Sequence, residues 1–262
     1  MIDFHNHLIP GVDDGASDLA EARAGLEAMR AEGVRVIVAT PHLSGALTRS
    51  PERLEPRLAE IDAGWEALRS LARAEFPDLR LERGAELMLD APEPVLRDPR
   101  VRLAGTPFVL VEFAAMTVPP RSREAVFELA MSGCTPIIGH PERYSYLGEA
   151  LETVAEWRRM GAFLQVNAGS LLGRYGSEPE SLGWELLRRG WADYLCSDYH
   201  ARGRLSIQES RSALLKAGGE RQVKLLTETN PERMLSGQDP LPVPALAVRR
   251  APFWRRLLPG AR

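Results

Sequence analysis

Residues 122–140 read SREAVFELAMSGCTPIIGH and show the unit from which most of the chain is built. Ser122–Met131 predicts an amphipathic helix, which Gly133 ends, and Thr135–Gly139 predicts a short strand that is apolar on both faces. The same order of helix, glycine and apolar strand recurs along the chain. This order is typical of right-handed βαβ units, in which successive strands are parallel. The sequence therefore predicts an α/β fold.

Apolar runs and amphipathic stretches alternate on both sides of this unit. Seven runs predict strands, at Met1–Asn6, Val34–Thr40, Leu79–Ala85, Pro107–Phe113, Thr135–Gly139, Ala162–Asn167 and Ala192–Ser197. Predicted helices lie between most of them, at Ser17–Glu32, Glu52–Ala74, Ser122–Met131, Gly148–Met160 and Glu178–Arg189. The step from the third strand to the fourth, which contains Pro92, Pro94 and Pro99, lacks a good helix.

Seven strands with helices outside them favour a closed (β/α) barrel, one unit short of the usual eight. An open doubly wound sheet is the alternative. No glycine-rich dinucleotide loop or Walker loop follows the first strand, so the usual reasons for an open sheet are missing.

The size and charge of the chain suit one α/β domain. It has 262 residues, of which 44% are hydrophobic and 26% are charged, so a large core under a charged surface is feasible. The net charge is −3 and there is no basic stripe, which argues against nucleic acid as the main partner. We expect residues 1–237 to form the barrel and residues 238–262 to form a tail rich in proline and arginine.

The expected tail has two parts. Gln238–Val248 holds three prolines and predicts an extended linker. Arg249–Leu258 mixes arginines with aromatic and aliphatic residues. We expect a flexible, solvated segment there, and the alternative is a segment that contacts an anionic membrane surface or an acidic partner.

Cysteine usage and hydropathy indicate the compartment. Cys134 and Cys196 both lie in apolar runs, and buried thiols suit a reducing environment. The N-terminus shows no basic-then-apolar signal pattern, and no apolar stretch approaches the ~20 residues that span a bilayer. The sequence therefore predicts a cytoplasmic protein.

Histidines and acidic residues follow the ends of the predicted strands. None of the five histidines lies in a predicted helix, and His5 and His7 have the spacing of side chains on one face of a strand. In a parallel barrel the C-terminal ends of all strands open on one rim, where these side chains would converge. The predicted set is His5, His7, His42, Glu86, Glu112, His140, Asp198 and His200.

This set has the composition of a catalytic metal site. Imidazole and carboxylate donors without thiolate suit manganese, iron or zinc. Because so many ligands are too many for one ion, we expect two or three divalent ions that share a bridging carboxylate. Such a cluster makes hydroxide available near neutral pH and stabilises the charge of a phosphate. The sequence therefore predicts metal-dependent hydrolysis of a phosphate ester.

Eight short segments resemble a known superfamily in their order along the chain. They are Met1–His7 (MIDFHNH), Val12–Gly15 (VDDG), Thr40–His42 (TPH), Gly84–Glu86 (GAE), Val111–Phe113 (VEF), His140–Tyr144 (HPERY), Gln165–Ala168 (QVNA) and Ser197–His200 (SDYH). They resemble the polymerase-and-histidinol-phosphatase (PHP) superfamily, and within it the bacterial manganese-dependent tyrosine-protein phosphatases of capsule and exopolysaccharide operons. The resemblance runs from Met1 to about Glu232.

The resemblance implies a distorted (β/α)7, TIM-like barrel with a trinuclear, manganese-dependent site formed by the predicted ligands. It implies a protein-tyrosine phosphatase whose substrate is an autophosphorylated tyrosine kinase that controls polysaccharide export. It also implies that Arg143 and an arginine after His200 bind the phosphate. We align Arg204 with the latter, and Arg202 is the alternative.

Two residues of these segments admit more than one interpretation, and one neighbouring segment departs from the expected pattern. Arg143 suits bidentate phosphate binding, and the alternative is a surface ion pair with Glu142 or Glu149. Asp14 suits an outer partner of the metal ligands, but a turn at the start of a helix explains it almost as well. The segment after His42 lacks the aromatic residues expected of a flap over a tyrosyl ring.

The sequence also leaves alternative functions open. Cys196 and Arg202 have the spacing of thiol-based tyrosine phosphatases, but Asp198 would repel a phosphate between them and no glycine shapes the loop. Within the superfamily, a phosphatase of histidinol phosphate or another small molecule and a phosphodiesterase are alternatives. A non-catalytic metal-binding protein is less favoured, because structural sites tend to be closed and rich in thiolate.

Overall fold

The protein is represented by a computed structural model that describes residues 1–145 and 151–247. The strands are β1 (Ile2–Asp3), β2 (Asn6–His7), β3 (Val36–Ala39), β4 (His42–Ser44), β5 (Arg80–Arg83), β6 (Glu86–Met88), β7 (Phe108–Glu112), β8 (Thr135–Gly139), β9 (Phe163–Asn167), β10 (Tyr194–Cys196) and β11 (Tyr199–His200). The helices are α1 (Leu19–Ala31), α2 (Pro51–Glu75), α3 (Ser122–Met131), α4 (Leu151–Arg159), α5 (Ser177–Arg189), α6 (Ile207–Lys216), α7 (Glu220–Lys224) and α8 (Asn230–Leu235).

The repeating unit of helix, glycine and strand is confirmed. The predicted helix and strand at α3 and β8 have the bounds that the sequence indicated. Gly133 lies between them with a φ of 80°, a left-handed conformation that glycine adopts without strain. The step between β6 and β7 contains only short 3-10 turns, as its prolines indicated. No helix was predicted for the stretch that forms α6, α7 and α8.

Several predicted strands are longer in the structure because they resume after a short break. The chain leaves β3 at Thr40 and Pro41 and then continues as β4, and β6 likewise follows β5 after Gly84 and Ala85. Pro41 has no N–H to donate to the ladder, which favours a break at this point. As a result, His42 and Glu86 lie at the start of new strands and pair with each other in register.

Every strand pair in the described part of the chain is parallel. The strand orders are β1-β3-β5, β10-β9-β8-β7-β6-β4 and β11-β2. The last strand, β11, pairs with β2 near the N-terminus, and this pairing places His200 opposite His7. The fold is therefore a mixed α/β fold built on parallel sheets, and the C-terminal ends of neighbouring strands lie at the same edge.

The apolar side chains of residues 1–145 and 151–247 form two buried clusters. The larger one lies between the sheets and the helices and includes Trp157, which is fully buried. The smaller one is formed by Phe4, Val38, Leu103, Phe108, Leu110, Ile137, Tyr194, Cys196 and Met234. In it, the rings of Phe4 and Tyr194 meet edge to face with centroids 5.0 Å apart. The smaller cluster thus joins strands from both ends of the chain.

Residues 238–247 contain no helix or strand, as the three prolines indicated. However, Val243 and Leu246 are buried, and the Leu246 N–H donates to the Leu187 carbonyl over 3.0 Å. The predicted extended linker therefore packs on the body of the protein along its described residues. The arginine-rich residues 248–262 lie outside the described residues. Among the helices described, none is long and apolar enough to cross a membrane.

Candidate metal centre

The side chains of the five histidines meet at one edge of the sheets. The His7 ring stacks on His200 with centroids 4.0 Å apart, and the His7 and His42 centroids are 4.4 Å apart. His5 lies 5.7 Å from His7 and 5.4 Å from His140 by the same measure. His7 and His200, which are 193 positions apart in the sequence, are thus neighbours, because the parallel strands bring their ends together.

The structure also brings the three predicted acidic residues into this cluster. Its donor atoms form four overlapping groups, within each of which all atoms lie within 4.8 Å of one another. The groups are His7, Asp14, His42 and His200; His5, His140 and Asp198; His5, His7 and Glu86; and His42, Glu86 and Glu112. Because the groups share members, the arrangement suits several cations better than one.

Glu86 lies at the centre of the cluster and is fully buried. Its Oε1 is 3.0 Å from His5 Nε2, and its Oε2 is 3.4 Å from His7 Nε2 and 3.1 Å from His42 Nδ1. Among the described residues, none of these three ring nitrogens has a hydrogen-bond partner in good geometry, although all are buried. Buried polar atoms are rarely left without a partner. Nitrogen lone pairs and carboxylate oxygens converging in this way fit divalent cations.

The opposite ring nitrogens of two histidines are held by side chains outside the cluster. His5 Nδ1 is 2.8 Å from Gln165 Oε1, and His7 Nδ1 is 2.8 Å from Asp13 Oδ2. Asp13 also accepts hydrogen bonds from the backbone N–H groups of His42 and Gly15. Such partners orient metal-binding imidazoles and fix their tautomer. In both histidines, Nε2 is therefore directed at the cluster.

Asp13 and Gln165 lie in the segments VDDG and QVNA, but neither residue was assigned a role from the sequence. The signal for Gln165 is a polar side chain in an otherwise apolar strand, where burial requires a partner. For Asp13, the acidic pair before Gly15 was the visible signal, but nothing in the sequence showed which of the two faces a histidine.

Charges within the cluster stabilise one another. Burial alone would lower the pKa of His5, but Glu86 and Asp198 more than offset it and raise this pKa to about 9. Burial likewise opposes the protonation of His42, and its contacts with Glu112 and Glu86 raise its pKa to about 10. Conversely, burial would raise the pKa of Glu86, but the surrounding histidines hold it well below its usual range. The carboxylates therefore favour positive charge on these imidazoles.

Two residues of the cluster have a left-handed backbone although they are not glycine. His140 has a φ of 33° and Asp198 a φ of 49°. His140 directly follows β8, and Asp198 lies two residues after the end of β10. This conformation is strained for such residues and is retained where the surroundings enforce it, often at functional sites.

Arg143 lies beside the cluster and contacts a predicted ligand. Its Nη1 is 2.5 Å from Asp198 Oδ2, and its side chain is 21% exposed. The alternative ion pair with Glu142 is not formed, because Glu142 is buried and accepts hydrogen bonds from the Asn167 N–H and the Ser170 hydroxyl. Glu149, the other alternative partner, lies outside the described residues.

Asp14 and the two candidate arginines after His200 lie further out. Asp14 Oδ1 is 3.3 Å from both His42 Nε2 and His200 Nε2, while its side chain is 70% exposed. Arg204 pairs with Glu209 over 3.0 Å and is 78% exposed. Arg202 lies 3.7 Å from Glu21. The structure thus brings Asp14 to the mouth of the cluster but pairs both arginines with surface acids.

Cys196 does not suit a thiol nucleophile. Its side chain is fully buried in the smaller apolar cluster, next to Phe4 and Tyr194. Burial holds the pKa of this thiol well above its usual range, so the thiolate that such a mechanism requires is disfavoured. The spacing between Cys196 and Arg202 is therefore a coincidence.

Known tyrosine-protein phosphatases are similar to this chain along most of its length. A sequence model of the family described as "Capsular polysaccharide synthesis, CpsB/CapC" matches residues 1–236. The tyrosine-protein phosphatase YwqE of Bacillus subtilis is 28% identical over 254 residues, which are 95% of this chain and 97% of YwqE. The tyrosine-protein phosphatase CpsB of Streptococcus pneumoniae is 28% identical over 252 residues, covering 91% of this chain and 99% of CpsB.

The three-dimensional comparison gives the same result. A solved structure from the pair of YwqE from Bacillus subtilis and CpsB from Streptococcus pneumoniae, described as unique metal-dependent tyrosine phosphatases, matches with a TM-score of 0.77. It is 27% identical, and the match covers 95% of this chain and 100% of that chain. Because the family model covers most of the sequence, this chain belongs to the CpsB/CapC family of capsular polysaccharide synthesis.

Proposed function

We propose that this protein is a metal-dependent protein-tyrosine phosphatase that acts in capsular or exopolysaccharide synthesis. The observation that supports the proposal is the convergence of five histidines and three acids, several of whose buried donor atoms have no hydrogen-bond partner among the described residues. The relatives that match along nearly their whole length are named tyrosine-protein phosphatases. The reaction would be the hydrolysis of a phosphate monoester, in which water attacks phosphorus and the tyrosine oxygen leaves.

The strand segments would form one distorted (β/α)7 barrel of the PHP type with the metal site at its C-terminal rim. Two series of neighbouring strand pairs support a continuous ring. The first is β1 with β3 and β3 with β5, and the second is β6 with β7, β7 with β8, β8 with β9 and β9 with β10. The pair of β11 with β2 supports its closure. The smaller apolar cluster, which takes members from strands around this ring, would fill the interior.

The eight convergent residues would hold two or three divalent ions. The donor set of imidazole and carboxylate favours Mn2+, with iron and zinc as alternatives. When bound, such ions make water a better nucleophile and offset the charge of the phosphate. The ligands are proposed to be His5, His7, His42, Glu86, Glu112, His140, Asp198 and His200.

Residues outside this set would bind and orient the substrate. Arg143 would bind phosphate oxygens through the guanidinium edge that its contact with Asp198 leaves free. Asp14 would orient His42 and His200 at the mouth of the site. Arg204 would reach the phosphate after releasing Glu209, because an ion pair between exposed side chains is weak.

The physiological substrate would be the phosphotyrosine of a bacterial tyrosine autokinase, in the cytoplasm. The family description, which refers to capsular polysaccharide synthesis, supports this context. Both cysteines are free and buried, which suits a reducing compartment. For the arginine-rich residues 248–262, which lie outside the described residues, contact with an acidic partner or an anionic membrane surface stays a proposal.

A substrate panel with metal-depleted protein tests the proposal. We expect folded, metal-depleted protein to be inactive towards a phosphotyrosine peptide and to regain activity with Mn2+. Histidinol phosphate and a phosphate bis-ester, tested in parallel, should be turned over far more slowly. Preferred hydrolysis of either of these, or activity that a chelator does not abolish, would overturn the assignment.

A further inference from the structure

Tyr175 lies beside the proposed phosphate-binding arginine. It is on the loop between the 3-10 turn Ser170–Leu172 and α5, and its side chain remains 40% exposed. The Arg143 guanidinium carbon lies 4.3 Å from the centroid of its ring, within the distance of a cation–π contact. We propose that Tyr175 is a positioning residue for Arg143 and fixes the guanidinium plane for phosphate binding. This inference rests on the proposed function, in which Arg143 binds the phosphate.

Arg143 is held by two different contacts. Its Nη1 interacts with Asp198 Oδ2, and the face of its guanidinium packs on the Tyr175 ring. The ion pair determines how far the guanidinium reaches towards the cluster, whereas stacking determines its plane. A planar donor that binds phosphate through two N–H groups requires both distance and plane to be correct.

Asn167 links the two groups that hold Arg143. Its Nδ2 donates to Asp198 Oδ2 over 3.0 Å and lies 3.3 Å from the Tyr175 hydroxyl. Its Oδ1 accepts from the Gly169 N–H over 2.9 Å, which ties β9 to the loop. Tyr175, Asn167, Asp198 and Arg143 therefore form a closed ring of contacts beside the metal ligands.

The loop that carries Tyr175 has a defined backbone. Gly173 and Gly176 have φ values of 71° and 102°, so both adopt conformations that other residues avoid. Arg174, next to Tyr175, donates from its Nη1 to the carbonyl of Arg204 on the loop that follows His200. Two loops of the rim are thus joined directly beside Tyr175.

Stacking lowers the cost of binding because arginine is long and flexible. A guanidinium already held in the bound plane loses less conformational freedom when phosphate arrives. A partly exposed cation–π contact together with this effect predicts a change of about threefold to tenfold in substrate affinity. The turnover number should change much less, since the ring does not touch the reacting atoms.

Three variants of the metal-loaded protein test the proposal. Tyr175→Leu removes the ring, Tyr175→Phe keeps the ring but removes the hydroxyl, and Phe127→Leu is a matched control at an exposed aromatic residue of α3. For Tyr175→Leu we expect KM for a phosphotyrosine peptide and the inhibition constant of inorganic phosphate to rise about threefold to tenfold, with kcat within about twofold. Tyr175→Phe and Phe127→Leu should resemble the wild type. Unchanged constants in Tyr175→Leu, or an equal defect in Tyr175→Phe, would overturn the proposal.

A second measurement is independent of turnover. In the metal-free wild type, the ring current of Tyr175 should shift the Arg143 Nε–H proton upfield in an NMR spectrum. The shift should persist in Tyr175→Phe, and its absence from the wild type would refute the stacking even if Tyr175→Leu did not fold. Failure of the wild type to hydrolyse the phosphotyrosine peptide would instead refute the proposed function, while this NMR result would stand.

Discussion

Loading the cluster with metal should release protons, and the number follows from the site. In the metal-free protein the pKa of His5 is about 9 and that of His42 about 10, because nearby carboxylates outweigh the effect of burial. At pH 7 each is then about 99% protonated or more. The pKa of His7 is also raised well above its usual range, whereas that of His200 is lowered. Since a cation binds only the neutral imidazole, we expect the release of two to three protons per protein.

Isothermal titration calorimetry at pH 7 measures this number. Mn2+ is titrated into metal-free protein in two buffers of different ionisation enthalpy, and the difference in observed enthalpy gives the protons released. Binding should also become tighter as the pH rises. Fewer than one proton released per protein at saturation would contradict the reasoning, because the carboxylates would then not hold the imidazoles protonated.

The same pKa values predict how the stability of the metal-free protein depends on pH. A histidine whose pKa in the folded protein exceeds its ordinary value of 6.5 adds its full contribution to the free energy of unfolding when the pH is below 6.5. This contribution is lost as the pH rises from 6.5 through the pKa of the folded state. The stabilisation by His5 is therefore lost between pH 6.5 and about 9, and that by His42 between pH 6.5 and about 10. Thermal unfolding of the metal-free protein should shift to lower temperature across this window, and a control with Mn2+ should shift less.

Three further predictions concern residues around the cluster and the end of the chain. Asp13→Ala removes the partner of His7 Nδ1, so the affinity for Mn2+ should fall about tenfold to 100-fold in a metal titration; an unchanged affinity would show that Asp13 does not orient the ligand. Deleting residues 248–262 should leave Tm and p-nitrophenyl phosphate hydrolysis unchanged, whereas deletion from Leu241 also removes two buried apolar side chains and should lower Tm by about 6–12 °C. Equal Tm values for the two deletions would contradict the packing described. Cys196→Ala should keep kcat within about twofold of the wild type, and abolished turnover in folded protein would favour a thiol mechanism.

The sequence could predict the repeating unit and the convergence of the candidate ligands. Periodicity and the terminal glycine were sufficient for α3 and β8, because local pattern and fold agree there. Histidines at strand ends were informative for a related reason: parallel strands place these ends at one edge whatever the details of the pairing. The convergence of His5, His42 and His140 therefore follows from topology.

Contacts that depend on register could not be predicted. Gln165 reaches His5 because β9 pairs with β8 in a register that sets Gln165 opposite Gly139, and no local pattern reveals this pairing. Tyr175 meets Arg143 because the loops after β8 and β9 are neighbours in the sheet order. The helices α6, α7 and α8 were missed because the alternation of helix, glycine and strand ends before them.

Anomalous diffraction from crystals of the Mn2+-loaded protein would test the central claim most directly. The convergence of His5, His7, Glu86 and Asp198 predicts two or three peaks at the manganese edge, each about 2.0–2.3 Å from these and the neighbouring donor atoms. The absence of any peak among these side chains in fully loaded protein, or peaks only at exposed carboxylates elsewhere, would contradict the account.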